Sequence, residues 1–440
     1  MKKLLLIMLL SLMLVTLVAA AGYTKNVILL IGDGMGINQV LLTSFIEGRD
    51  LNMMKAPYFG SATTYSANSN VTDSAAAGTG LSTGFKTNNG MIGMLPDGTI
   101  IPTIAEIAAQ NGVKTGIVAT CRVTHATPAS FYGHVESRDY ENKLAEQLVN
   151  SPLDVVLGGG SRHFVPSGGK RTDGKDLIAL AQSKGFDYIT TKTELENYEG
   201  DRLLGLFASS HLDAVTERSG EQPLLPEMTK KALDILSKDG KPFFLMVEGS
   251  QIDWECHGND VYGVWKETVE FDNAVKVALD FAKENPNTLV IVTADHETGG
   301  LGLSTGGYTI NLEKIRNDYT KTADWLFYNY GDSVESLKDA MKKYCNVEMT
   351  EEDVELFEKM SAESYYGGPN SIGTILSKHV DVGWTTYDHT AAPVPVFAFG
   401  PGADSFTGIF DQTYIPRMIG KLAGYELIYP VHQIPAVGEH

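Results

Sequence analysis

The chain has 440 residues, 20% of them charged, and a formal net charge of −19 at pH 7. That length suits one large α/β domain with insertions, or two domains, while so acidic a surface argues against nucleic acid or an anionic membrane as the main partner. The three cysteines, Cys121, Cys256 and Cys345, are too few and too scattered for a disulfide framework, so a hydrophobic core must hold the fold.

At the N-terminus, Lys2 and Lys3 precede an almost wholly apolar run from Leu4 to Val18, closed by Ala19-Ala20-Ala21. A positive n-region, an apolar h-region and a small-residue cleavage site describe a secretory signal peptide over residues 1–21. The run is shorter than the ~20 residues a membrane span needs. The expectation is an exported protein, periplasmic or extracellular, with no stable membrane anchor and one main folded domain over 22–440.

Strand-like runs and helical patterns then alternate. VILLI (27–31) is read as a strand, followed by a helix starting near Met35. VTDSAAAGTGLSTG carries a helix start at Ser74, with small residues behind it that would let a ligand approach the backbone closely. PTIAEIAAQNG places Pro102 near the first helical position and Gly112 as a stop, and leads into the strand KTGIVATCRV. DVVLGGG, the helix around DLIALAQSKG and the strand LLGLFA come next. The helix PEMTKKALDILSKDG precedes FFLMVEG, and the long helix VWKETVEFDNAVKVALDFAKEN precedes LVIVTA. VPVFAFG and a helix from Tyr414 to Leu422 close the series. Short, continuously apolar runs of this kind are buried parallel strands, so the fold class is α/β: a doubly wound, mainly parallel sheet with helices on both faces.

Two segments break the rhythm. Residues 305–378 hold helical stretches and no clean buried strand, with Thr350 and Asp353 placed as an N-cap and its N3 acid. This is read as a helical insertion near the site edge, a cap or a dimer contact. Residues 161–174 read as a surface excursion.

Three of the apolar runs stop on metal-type ligands: Asp33, Glu248, and the pair Asp295-His296. In open α/β sheets ligands bind outside the carboxyl ends of the strands, so three distant segments would deliver oxygen and imidazole groups to one edge. Asp253 and His257 stand i, i+4, which on a helical turn points both the same way. They read either as a shared zinc site or as an exposed polar face. Cys256 between them reads as a thiolate ligand or as a small buried residue, the commoner role for free cysteine. His389 precedes VPVFAFG, beside Asp388.

Ser74 also admits two readings. Asp73 or Ser74 is a plain N-cap, or the helix N-terminus binds an oxyanion on its free amides. His125 and Thr127 follow the strand GIVATC, and Arg138 offers a planar fork for two phosphate oxygens.

Taken together, IGDGMG, VTDSAAAGTG, ATPASF, VEGSQID, TADHETGG and GWTTYDHTAAPVPVFAFGPGA resemble the motifs of the alkaline phosphatase family, in order, from about Asn26 to Leu422. The resemblance implies an alkaline-phosphatase-like catalytic domain that hydrolyses small phosphate monoesters to an alcohol and inorganic phosphate. It implies a broad substrate range, an alkaline pH optimum and a homodimer. It also implies two Zn2+ and one Mg2+ per subunit. Asp253, His257 and His389 would bind the first zinc, and Asp33, Asp295 and His296 the second. Asp33, Thr127 and Glu248 would hold the magnesium. Ser74 would be the nucleophile of two in-line displacements through a phosphoserine, with Arg138 clamping the phosphoryl group.

Two positions depart from the best-studied branch, which has aspartate where His125 stands and lysine where Trp254 stands. His125 makes zinc or cobalt a rival to magnesium in the third site, and Trp254 removes a cation beside the phosphate. Sulfatases need a Cys/Ser-x-Pro-x-Arg core, whereas Ser74 is followed by Ala75-Ala76-Ala77. A phosphodiesterase of the same superfamily and a secreted metal- or phosphate-binding protein are the other rivals.

Overall fold

A computed structural model describes residues 24–218 and 220–425, so the leader read over 1–21 lies outside the described residues. Twelve strands are present: β1 (Asn26–Gly32), β2 (Tyr58–Thr63), β3 (Lys114–Arg122), β4 (Val155–Gly159), β5 (Asp187–Ile189), β6 (Leu203–Leu206), β7 (Phe243–Gly249), β8 (Thr288–Thr293), β9 (Glu297–Thr298), β10 (His389–Thr390), β11 (Val394–Phe399) and β12 (Gly408–Asp411). Ten of them form one sheet in the order β12-β2-β11-β8-β1-β7-β3-β4-β6-β5, and β9 pairs with β10 in a separate ribbon.

β1, β7 and β8 are buried along their whole length because they lie at the centre of the sheet with helices on both sides. Each buried Val, Ile or Leu there is worth roughly 1.5–3 kcal/mol against exposure. The strands run parallel with Ile31 opposite Glu248 on one side and opposite Thr293 on the other. The residues just past these positions therefore leave the sheet at one level.

β11 is the exception to the parallel sheet. It pairs antiparallel with both β8 and β2. The reversal puts the start of β11, not its end, at the carboxyl edge of its neighbours. The edge strands β5 and β12, and β2 next to β12, lie outside the runs read from sequence. β2 (YFGSAT) is mostly exposed or half-buried, and β12 exposes Ile409 at 80%.

Helix starts follow their caps. The helix Ile104–Gln110 begins after Thr103, which forms a capping box with Glu106, so Pro102 sits ahead of the cap instead of at the first helical position. Thr350 and Asp353 make the same box on Glu351–Glu363. Five helices between Leu312 and Lys378 share a second hydrophobic cluster with Leu42, Ile46, Val261, Tyr262 and Trp265 of the main body. Asp260 joins the two parts: it caps Val261–Glu284 through the amides of Tyr262 and Gly263 and accepts a 2.6 Å bond from the Ala323 amide.

The segment 161–174 is pinned to the body, unlike a free excursion. Phe164 is fully buried in the main core, and the Arg171 guanidinium, buried at its side chain, bonds Glu146 at 2.7 Å. Among the described residues no helix is long and apolar enough to cross a membrane.

Candidate metal centre and active site

The carboxyl edge of β1, β7 and β8 collects the residues that the strand endings suggested. Asp33, Asp295 and His296 are completely buried, and one donor atom from each lies within 4.8 Å of the others. His296 Nε2 is 3.4 Å from Asp33 Oδ1 and 3.3 Å from Asp295 Oδ2. Asp253, His296 and His389 form a second such group. His257 completes it, with Nε2 3.3 Å from Asp253 Oδ2 and 3.2 Å from His389 Nε2.

Each member has a structural reason to be there. The short helix Gln251–His257 puts Asp253 and His257 on one face. His389 reaches the edge because β11 is reversed: it pairs opposite Thr298 in the β9–β10 ribbon, just ahead of the strand. Backbone carbonyls fix both imidazoles through the other ring nitrogen, Tyr387 O at His257 Nδ1, and Thr72 O at 2.8 Å from His389 Nδ1. That leaves Nε2 of each for a ligand.

A third group of oxygens lies beside the first. Thr127 Oγ1 is 3.5 Å from Asp33 Oδ2 and 3.4 Å from Asp295 Oδ2. Glu248 ends β7, with the Cys121 thiol donating to Oε2 at 3.4 Å. Glu248 Oε1 and Asp33 Oδ1 are buried without a hydrogen-bond partner.

The electrostatics fit a cation. Burial, then the like charges of Asp295, Asp253 and Glu248, hold the Asp33 carboxyl well above the usual carboxylate range. Burial lifts Glu248 to about 8 and Asp295 to about 6. Burial alone would raise Asp253 and lower His257, yet their mutual attraction wins: Asp253 is held low and His257 is lifted to about 9. Buried carboxylates are stable only when paired or when they coordinate metals, and two of these oxygens have no hydrogen-bond partner at all. The mixed imidazole and carboxylate groups suit zinc, and the all-oxygen group suits a harder ion.

Ser74 is the first residue of the helix Ser74–Thr83, 2% exposed, with Oγ 3.1 Å from His296 Nε2. The cap is Asp73, whose Oδ1 accepts from the Ala76 amide at 2.9 Å, worth about 1 kcal/mol. The cap reading therefore falls to Asp73 and not to Ser74. Two of the small residues behind Ser74 are required by packing: a Cβ on Gly78 would lie 2.6 Å from Ser130 Oγ, and one on Gly80 would lie 2.9 Å from Gln412 Nε2. Arg138 Nη1 bonds Asp73 Oδ2 at 3.1 Å, so the guanidinium is tethered to the residue before Ser74.

His125 does not touch the carboxylates. Its Nε2 lies 3.2 Å from Arg138 Nη2, while Nδ1 is buried without a partner. Trp254 packs edge-on to His211 at 4.1 Å between ring centroids, with His125 at 6.0 Å. Cys256 lies in the main hydrophobic core.

Sequence reasoning passed over three supporting residues. Thr298 donates to Asp253 Oδ1 at 2.5 Å and lies 3.2 Å from His296 Nδ1, tying the two groups together. Glu297 accepts from Gln39 Nε2 at 2.8 Å and from Thr390 Oγ1, which holds the β9–β10 ribbon. His211 is a lone histidine with no local signal. Thr298 and Glu297 stand in TADHETGG, where attention went to the ligands.

Gly34 is fixed by the site itself. Its φ is +72°, and a Cβ there would stand 2.7 Å from the Asp253 Cα. Gly34→Ala is expected to lower activity about tenfold or more by pushing Asp253 out of place. The melting temperature should fall by about 2 °C or more. Unchanged kinetics with unchanged melting would show that the close approach is irrelevant.

Comparison with known proteins gives one answer. Residues 24–425 match the family model described as alkaline phosphatase. Alkaline phosphatase 4 of Bacillus subtilis is 36% identical over 422 residues, covering 90% of this chain and 88% of that protein. Among solved structures, a cold-active alkaline phosphatase from Shewanella superposes with a TM-score of 0.81 at 31% identity, covering 90% of this chain and 99% of the other. The alkaline phosphatase of the Antarctic bacterium TAB5 gives 0.71 at 34% identity, covering 92% and 99%. A histidine-to-glutamate variant of the TAB5 protein has been solved with magnesium bound in its M3 site.

Proposed function

Because this chain belongs to the alkaline phosphatase family and is a phosphoric monoester hydrolase, we propose that it works through a phosphoserine at Ser74 and depends on bound metal ions. The observation that carries this is Ser74 Oγ at a helix N-terminus, 3.1 Å from His296 of the buried Asp33–Asp295–His296 group. Asp253, His257 and His389 would hold one zinc, Asp33, Asp295 and His296 a second, and Asp33, Thr127 and Glu248 a third ion. When bound, these ions supply positive charge for the oxygens that become anionic at phosphorus.

The protein's own groups do the rest. Ser74 Oγ attacks phosphorus, the ester P–O bond breaks, and the alcohol leaves carrying a proton in exchange for the one Ser74 gives up. Water then attacks the phosphoserine, and inorganic phosphate departs as Ser74 regains its proton. The Arg138 fork and the free amides at the start of the helix bind the non-bridging oxygens in both steps. Arg138 enters this role already oriented by Asp73 and His125.

The third ion is magnesium on this reading, with His125 the residue that opens the site to zinc or cobalt. The magnesium seen in the M3 site of a histidine-substituted TAB5 protein fits a site that such a histidine tunes. An alkaline pH optimum and broad specificity follow from family membership.

Purified protein should release p-nitrophenol from its phosphate at alkaline pH, lose this on dialysis against a chelator, and regain it with zinc plus magnesium. Chelator-resistant turnover would sink the metal requirement, and no turnover by metal-loaded protein would sink the reading as a whole.

We also propose export and homodimer formation, on the strength of the leader-like N-terminus and the family. Protein recovered from the producing cell should begin at Ala21 or Gly22 and sediment as a dimer. An intact Met1 terminus or a monomer would count against the respective proposal.

A further inference from the structure

The pinned segment after β4 has a use. It forms one wall of a cleft of about 490 Å3, and the first turn of the helix Glu141–Asn150 forms the other. That volume is in the range of small-molecule sites. The walls are cross-linked: the Lys170 amide donates to Arg162 O at 2.7 Å, Asn142 Nδ2 donates to Lys170 O at 3.1 Å, and Arg171 Nη1 donates to Asn142 O at 3.0 Å.

The cleft is cationic in a chain whose net charge is −19. Lys143, Arg162 and Lys170 line it, and none of them forms an ion pair among the described residues. Two carboxylates line it, and Glu141 is already used: it takes two bonds from Arg122 at 2.7 and 2.9 Å, one from Thr124 at 2.7 Å, and lies 3.2 Å from His163 Nε2, while Asp139 accepts from Ser137 Oγ at 3.3 Å. Burial and the neighbouring Arg122 guanidinium hold Arg162 below its ordinary value, against the opposing pull of Glu141.

The cleft is tied to the phosphate clamp through the chain. Asp139 and Tyr140, which line it, directly follow Arg138. A second connection runs from Arg138 Nη2 to His125 at 3.2 Å, from His125 to the His211 ring at 5.5 Å, and from His211 to Arg122.

We propose that this cleft binds a second anionic group on the substrate's leaving alcohol, so that the protein favours phosphate monoesters whose alcohol carries another phosphate or a carboxylate. The proposal deepens the phosphomonoesterase reading and rests on it for turnover, though not for binding. Arg162 and Lys170 supply charge and hydrogen bonds from a preformed wall, and Lys143 adds charge from the opposite one.

The test compares kcat/KM for fructose 1,6-bisphosphate with fructose 6-phosphate, and for 3-phosphoglycerate with glycerol 3-phosphate. Wild type should favour the more anionic member of at least one pair by about tenfold or more, as for one charge-assisted hydrogen bond. Preference in the first pair alone assigns the cleft to phosphate, in the second alone to carboxylate, and in both to either anion. Arg162→Gln with Lys170→Gln should bring the ratio to within about twofold of unity, with p-nitrophenyl phosphate turnover and melting temperature kept. Arg162→Lys should restore part of it.

Absence of preference in wild type overturns the proposal, as does preference that survives the double substitution or an equal fall on every substrate. Calorimetric binding of the fructose pair to Ser74→Ala protein reads the cleft without turnover. If wild type hydrolyses nothing, a tenfold affinity ratio still supports the cleft, and a ratio near one overturns it.

Discussion

Ser74→Ala should lower kcat by at least about 10^3-fold while leaving the fold and the metal content intact. The side chain is small and 2% exposed, at a position whose cap is supplied by Asp73 and not by Ser74. Removing one oxygen there leaves the helix N-terminus, Arg138 and the buried carboxylates in place. Any residual rate would come from water attacking substrate held by the same groups. Acid quenching of wild type with labelled substrate should trap label on Ser74, and the variant should trap none. A kcat within tenfold of wild type, with no trapped label in either protein, would remove Ser74 from the nucleophile's role.

Asp33→Asn is the second large effect. Asp33 is the residue shared between the zinc-type group and the all-oxygen group, with Oδ1 3.4 Å from His296 Nε2 and Oδ2 3.5 Å from Thr127 Oγ1. Asparagine keeps the volume and removes the charge, so packing is preserved and cation affinity is not. Activity should fall by about 10^3-fold or more, and mass spectrometry of the native protein should find fewer bound ions per subunit.

The stability of the variant should move in two directions. Without metal, the substitution relieves the repulsion that pushes Asp33 and its neighbours upward, so the metal-free variant should melt no lower than metal-free wild type. With metal in excess, wild type should gain several kcal/mol from binding, as RT ln(1 + [L]/Kd) requires, and the variant should gain less. Equal metal content in the two proteins would refute the shared-ligand role.

The central sheet and the gathering of its candidate metal-binding residues were legible because burial and chemistry coincide there. VILLI, FFLMV and LVIVTA are continuously apolar since both faces are covered; Glu248 pairs at the level of Ile31 and Thr293, and Asp33 and Asp295 stand two residues past it. The Asp253–His257 spacing was equally readable, as helix geometry fixes what i, i+4 side chains do.

What was not legible depended on pairing across long distances. VPVFAFG reads as a strand, yet nothing in its composition states that it runs against its neighbours. β2 escapes because it contains Gly60 and exposes Phe59 at 51%, so it lacks an apolar run. Residues 161–174 look like a loop from their glycines and polar residues, while Phe164 and Arg171 anchor them from within. Gly78 and Gly80 behind Ser74 have no room for a Cβ against Ser130 and Gln412, a packing demand that their local sequence does not announce.

The reversed strand β11 also sets when the protein can become active as it is made. β2, though early in the chain, joins the sheet only through β11 and β12. His389 arrives immediately before β11. A nascent polypeptide emerging in order can assemble the seven parallel strands from β8 to β5, with Asp33, Asp295 and His296 in position, and still lack the last imidazole. Closure waits for a contact between residues more than three hundred positions apart, the kind of pairing that forms late because its loop-closure entropy is paid first. On the proposed role of His389, hydrolytic competence would be deferred until almost the whole polypeptide has been released, and a chain truncated before β11 would lack that imidazole.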